Sequence, residues 1–232
     1  MGDGSNSGTV ALTNVNNSYT GGTTVSGATL SVANDGNLGE VGGGLTLDGG
    51  ELAVAGGFVS SRSIALTASG GTLAVVTAGA AEFQGDITGP GDLTVGDTVN
   101  TGVVGLSGNN TYLGSTNIVS GAALQALSVT ALSPVPVFIV DGTLDLNGFS
   151  NQIGELAGGG TVTKGGNITT AVLTVGDISN SFFNGVLKDG NTPLGLTKVG
   201  AGVLNLSGSS TYSGPTTISE GKVQAGSGNH QS

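Results

Sequence analysis

The 232-residue sequence contains no cysteine, no tryptophan, one methionine and one histidine. Without cysteine there are no disulfides and no thiolate metal sites. The lone His230 stands two residues from the C-terminus, a poor place for a metal or acid–base centre. Basic residues are nearly as scarce: Arg62, Lys164, Lys188, Lys198 and Lys222 face fifteen Asp and Glu, for a net charge of −10. Phosphate backbones and anionic membrane surfaces need clustered cations, and no two of these five are near neighbours, so neither nucleic acid nor a membrane surface is an expected partner. Aromatic residues make up 4% of the chain, too few for the girdles of a membrane barrel. The most apolar stretch, Ala122 to Val140, is interrupted by Gln125, Ser128, Ser133 and two prolines, so no spanning helix is expected. Residues 1–8 have neither a basic start nor an apolar run, and they read as a linker rather than a signal peptide. No catalytic, cofactor-binding or metal-ligating residue is assigned, and the chain is read as non-enzymatic.

Glycine is abundant, at 46 of 232 positions, and only 9% of residues are charged. Interior glycines cost a helix about 1 kcal/mol each relative to alanine, so this composition disfavours helices. Disorder does not follow. Leu, Val, Ile and Phe total 62 residues, about 27%, above the roughly 20% that a packed core requires. Collagen is excluded because the glycines fall irregularly, in runs such as Gly42-Gly43-Gly44 and Gly158-Gly159-Gly160.

The recurring signal is a glycine, one residue, then apolar-x-apolar, as in Gly50-Glu-Leu-Ala-Val54, Gly71-Thr-Leu-Ala-Val75, Gly91-Asp-Leu-Thr-Val95, Gly142-Thr-Leu-Asp-Leu146 and Gly202-Val-Leu-Asn-Leu206. Period-two alternation after a turn residue predicts a strand with one buried face. Aligning Leu30, Leu52, Leu73, Leu93, Leu124, Leu144, Val162, Leu204 and Val223 gives steps of 22, 21, 20, 31, 20, 18, 42 and 19 residues. A repeat near 20 residues is too short to bury its own core, which favours a parallel β-solenoid over a sandwich or barrel. The expected fold is all-β, a right-handed single-stranded parallel β-helix of about 11 coils of about 20 residues, roughly 50 Å long. One domain is expected over 9–226, followed by a flexible tail at 227–232.

A longer repeat overlies the coil. Residues 83–121 match 183–221 at an offset of 100 with 14 identities in 39 positions, Gly85, Gly108, Tyr112, Gly114 and Thr116 among them. A partial copy opens the chain around Leu12, Tyr19 and Thr23, so repeat units are placed near 9–33, 83–126 and 183–225. The segments 106–118 (LSGNNTYLGSTNI) and 203–218 (VLNLSGSSTYSGPTTI) strongly resemble the passenger-associated transport repeat of bacterial autotransporters. The stretches 142–162 and 173–185 are similar to that family's flanking sequence. The resemblance implies a β-helical passenger segment secreted across the outer membrane of a Gram-negative bacterium. As a part of such a passenger it implies a stalk or scaffold in adhesion or self-association, with an aid to passenger folding during export. The partners so implied are another copy, host surfaces or glycans.

The competing reading is a polysaccharide-binding or polysaccharide-degrading β-helix that uses outward carboxylates. Its residues are Asp86, Asp92 and Asp97, with Asp141 and Asp145 further on. Paired carboxylates held about 5 to 10 Å apart can act as acid and base. Asp also favours turns, and no cation lies near these five in sequence, so turn formation and surface charge are the expected roles. The turn Asn34-Asp35-Gly36-Asn37 offers oxygen ligands for Ca²⁺ or forms an ordinary turn, and Asn16, Asn109, Asn167 and Asn205 begin glycosylation sequons of the kind an Asn- and Thr-rich sequence yields by chance. Tyr19, Tyr112 and Tyr212 recur at one repeat position, where a ring over a corner with its hydroxyl hydrogen-bonded is expected ahead of sugar stacking. Of Phe182 and Phe183, one is expected in the core and one outside.

Overall fold

The computed structural model describes residues 8–166 and 170–226. The expected tail with His230, the sequon at Asn167 and all of the expected linker except Gly8 lie outside the described residues. Within them the chain forms 25 short strands and one 3₁₀ turn, Asp35–Leu38. Every ladder between strands is parallel, and the chain winds through about ten stacked coils, close to the eleven expected. At about 4.8 Å per coil the stack is about 48 Å long.

Three faces enclose the core. The first carries Thr23–Ser26, Leu45–Asp48, Ile64–Leu66 and Ile87–Thr88. It continues through residues 111–113, whose Thr111 and Leu113 amides donate to the Ile87 and Gly89 carbonyls at 2.9 Å each. It resumes with Asn151–Ile153, Ala171–Val175, Leu194–Lys198 and Thr216–Ile218. The second face runs from Thr9–Leu12 through Thr29–Val32, Gly50–Val54, the first part of Gly71–Phe83, Leu93–Val95, Thr116–Ile118, Val137–Val140 and Glu155–Ala157. A bridge from Gly158 to Phe183 carries it on to Ser181–Phe183, Val203–Leu206 and Lys222–Ala225. The third face holds Val59–Ser60, the second part of Gly71–Phe83, Thr101–Leu106, Ala123–Ala126, Thr143–Asp145, Thr161–Thr163 and Val186–Leu187. The long strand Gly71–Phe83 turns the corner between the second and third faces at Ala78, whose backbone is left-handed at φ 63°.

Alternate side chains point inward, and equivalent ones stack from coil to coil. Leu30, Leu52, Leu73, Val95, Ile118 and Val140 form one column in register, and all are buried. Full burial of each such side chain contributes about 1.5–3 kcal/mol. The nine residues aligned in the sequence are all strand residues, but they belong to three columns rather than one. Leu93 sits opposite Gly71, two residues along from Leu73, and shares its row with Leu204 and Val223. Leu124, Leu144 and Val162 stack on the third face. The 31-residue step is therefore one coil plus one face.

The 100-residue repeat also departs from whole coils. Its stacked pair 103–106 and 123–126 lies on the third face, whereas the equivalent pair 203–206 and 222–225 lies on the second. One copy thus advances four coils and two further faces. Its repeated glycines have a local reason. A Cβ on Gly108 would lie 2.3 Å from the Gly85 carbonyl oxygen, and one on Gly208 would lie 1.9 Å from that of Gly185. The same two glycine positions let consecutive coils touch backbone to backbone in both copies.

Candidate functional site

The five aspartates picked out in the sequence sit at corners or strand ends, and each is occupied by backbone amides. Asp86 accepts a hydrogen bond from the Asn109 amide at 2.8 Å, Asp92 from Ser115 at 2.6 Å and Asp141 from Gly159 at 3.0 Å. Asp145 accepts from Gly165 at 2.6 Å, from Asn147 at 2.8 Å and from the Gln125 side-chain amide at 3.0 Å. Four of the five therefore fasten their own coil to the next. Asp189, which the sequence reading passed over, does the same through the Ser213 amide at 3.0 Å, and it also accepts from Leu194 at 2.8 Å. Hydrogen bonds from Ser213 and Leu194 hold its carboxyl below the usual carboxylate range. The Thr67 hydroxyl, with help from Ser69 and Ser26, does so for Asp48.

Asp97 is different. It accepts from the amides of Val99 (2.5 Å) and Asn100 and from the Asn100 side chain at 2.8 Å. Burial opposes its charge, but the hydrogen bonds from Asn100, Val99 and Glu51 outweigh that and keep it ionised. Glu51 is the opposite case: burial, then the neighbouring Asp97 charge and the hydrogen bond to it, push its carboxyl up to about 7. The two share a groove of about 430 Å³ with Thr72, Thr94 and Ser120. Sequence reasoning missed Glu51 because it reads as an ordinary outward strand residue. The pairing depends on the 96–100 loop folding back across two coils. The register Glu51–Thr72–Thr94 that brings them together emerges only when the coils stack, because the alignment by apolar alternation sets Leu93 rather than Val95 beside Leu73.

Three of the five cations are inside the molecule. The Arg62 guanidinium pairs with both Asp35 oxygens, at 2.9 and 3.1 Å, and donates to the carbonyls of Gly39, Glu40 and Gly43. The Asn34–Asn37 turn is accordingly a 3₁₀ turn with its carboxylate committed to Arg62, and its Asn37 side chain accepts from the amides of Ala33 and Asn34. The Lys164 ammonium donates to the Gly166 carbonyl and to Thr192, and Lys198 donates to the carbonyls of Val199 and Gly200. Burial lowers the Lys198 pKa, while Glu220 and Asp177 oppose that shift. The exposed cations are Lys188 and Lys222, so the outer surface is strongly acidic.

The tyrosines make corners. Each hydroxyl bonds the threonine hydroxyl four residues on: Tyr19 to Thr23 at 3.0 Å, Tyr112 to Thr116 at 2.6 Å and Tyr212 to Thr216 at 2.8 Å. Tyr112 is wholly buried, which drives its phenol pKa upward. Tyr19, in the first coil, is 39% exposed. Phe183 is buried and Phe182 exposed. Among the sequons, Asn16 and Asn109 are exposed and Asn205 is buried.

The family description Passenger-associated-transport-repeat matches residues 5–32 and 196–225, the first and third repeat units. The chain is 34% identical, over 92% of its length, to the adhesin BmaC autotransporter of Brucella suis biovar 1 (strain 1330). It spans about 6% of the length of that curated relative. No solved structure matches it. Among the described residues, no helix is long and apolar enough to cross a membrane. With its parallel coils and repeated tyrosine corners, the chain is an autotransporter passenger segment bearing passenger-associated transport repeats, exposed outside a Gram-negative cell.

Proposed function

We propose that this segment is a non-catalytic stalk that serves adhesion or self-association, and that its coils template one another as the passenger folds during export. One observation carries the reading: four of the five aspartates singled out in the sequence are spent on fastening one coil to the next, and three of the five cations are buried. A surface so arranged has little left with which to activate a substrate. A solenoid also grows by adding each coil to a folded neighbour, which suits a role in export.

Beads coated with the 232-residue chain test the stalk reading. They are expected to clump with one another or to attach to host-cell surfaces more than beads coated with an unrelated acidic protein. Beads inert in both assays overturn it. Deleting residues 198–226 from the parent protein is expected to reduce surface display, and unchanged display removes the folding role. A second reading, glycan binding, is favoured only by the groove that holds Glu51 and Asp97. Calorimetry against neutral and acidic polysaccharides, with Glu51→Gln as the control, decides it.

A further inference from the structure

The three faces differ in charge. Outward acids or bases occur in the strands of the second face at Glu51, Glu155 and Lys222, and in those of the third at Glu82 and Asp145. The strands of the first face offer one, Asp48, at the very end of its strand and held by the Ser26 and Thr67 hydroxyls. Their central outward row is a ladder of uncharged side chains. It runs in register from Thr24 to Thr88, with one alanine, and from Gln152 through Thr174 and Thr197 to Thr217. In a molecule of net charge −10, this is where a second copy approaches with least repulsion.

Charge is also uneven along the rod. Residues 8–116 hold eight carboxylates against Arg62, a net −7, and residues 117–226 hold six against four lysines, a net −2. Parallel pairing of two copies sets the −7 halves side by side. Antiparallel pairing sets each −7 half against a −2 half, beside the exposed Lys188 and Lys222. A strip about 48 Å long and one four-residue strand wide, about 13 Å, covers roughly 600 Å² per copy, or ~1,200 Å² for the pair. That is the lower edge of the range for stable specific interfaces, so a weak dimer is expected. Threonine also suits the contact, since it offers a methyl and a hydroxyl that pair well with another threonine.

We propose that two copies of this chain associate antiparallel through their first faces, with Thr46 of one copy opposite Thr197 of the other. The proposal rests on the self-association reading above and assigns it a surface and a direction. The pairing is isologous, with its two-fold axis passing between Thr111 and Gln152.

The absence of cysteine makes the test clean. Single variants Thr46→Cys and Thr197→Cys of the full chain are mixed and mildly oxidised. The mixed disulfide is expected at least tenfold above either like-with-like disulfide. Sedimentation should show a concentration-dependent dimer, weakened at least tenfold in Thr46→Glu/Thr197→Glu and unchanged in Asn117→Glu on the second face, with thermal melts confirming that all variants fold. Like-with-like disulfides in excess, or a Thr46→Glu/Thr197→Glu variant that dimerises as the parent does, overturn the proposal. Coated beads separate this failure from that of the stalk reading. If parent and Thr46→Glu/Thr197→Glu beads clump equally, the surface is wrong and the stalk stands. If parent beads neither clump nor attach to cells, the stalk reading falls as well.

Discussion

Replacing Glu51 with glutamine should remove a dependence of stability on pH near neutrality. The folded Glu51 carboxyl titrates at about 7, above the 4.5 of a free side chain, because it is half-buried and bonded to the ionised Asp97. A raised carboxyl stabilises the fold fully below the unfolded pKa, and that contribution is lost as pH rises through 7. The full linkage corresponds to about 3.4 kcal/mol at 1.36 kcal/mol per unit. Glu51 remains partly open to water, and screening reduces this to about 1–2 kcal/mol. Glutamine keeps a donor toward Asp97 and cannot ionise. At pH 5 the variant should therefore melt within about 1 °C of the parent. At pH 8 it should be more stable by about 1–2 kcal/mol, a rise of roughly 2–8 °C for a chain of this size. Amide exchange at Val99 and Asn100 gives a local readout, since both amides bond Asp97. They should exchange faster at pH 8 than the intrinsic rate increase explains in the parent, and not in Glu51→Gln. An equal difference between the two proteins at pH 5 and pH 8 would refute the reasoning.

Four other outcomes follow from the geometry. Tyr112→Phe leaves the buried Thr116 hydroxyl without its partner and should cost about 1–2 kcal/mol, whereas Tyr212→Phe, whose partner is exposed, should cost less than about 0.5. Paired urea titrations measure both, and similar losses would mean that burial does not set the value of this bond. Gly108→Ala forces a methyl against a backbone oxygen and should destabilise by about 1–3 kcal/mol or more, while Gly159→Ala, with open space around it, should be near neutral. Arg62→Lys breaks the two-pronged bond to Asp35 and strands carbonyls of the Gly39–Gly43 loop, for a loss of about 3 kcal/mol in thermal or chemical melts. Asp189 has a depressed pKa, so its contribution is present above about pH 4 and disappears as pH falls further. Asp189→Asn should flatten the acid limb of the stability profile below about pH 4.

How much of this was legible beforehand depended on the range of the interaction. Gly-x-Leu-x-Val segments, tyrosines four residues before threonine and glycines at fixed offsets are local patterns, and they gave the strands, the corners and the coil length. The single column drawn through Leu73, Leu93 and Leu124 failed because apolar alternation marks an inward residue without saying which face it lies on. The Asp35–Arg62 pair spans 27 residues, and the Glu51–Asp97 pair joins two coils through a folded-back loop. Nothing in either residue's neighbours along the chain announces them. Lys164 and Lys198 belong to a residue type that is almost never fully buried unless paired. Only the closed coil reveals that both side chains are buried with their ammonium groups on backbone carbonyls.

The fractional advance of the long repeat bears on how such proteins lengthen. A unit that ends two faces beyond a whole number of coils does not deliver its copy in the same orientation. Whatever protrudes from the segment around Tyr112 points a third of a turn away from its counterpart around Tyr212. Duplication of the unit therefore spreads one motif around the circumference as well as along the axis. A ligand or antibody that grips that motif would meet it from several directions on a single rod, with no change in sequence required.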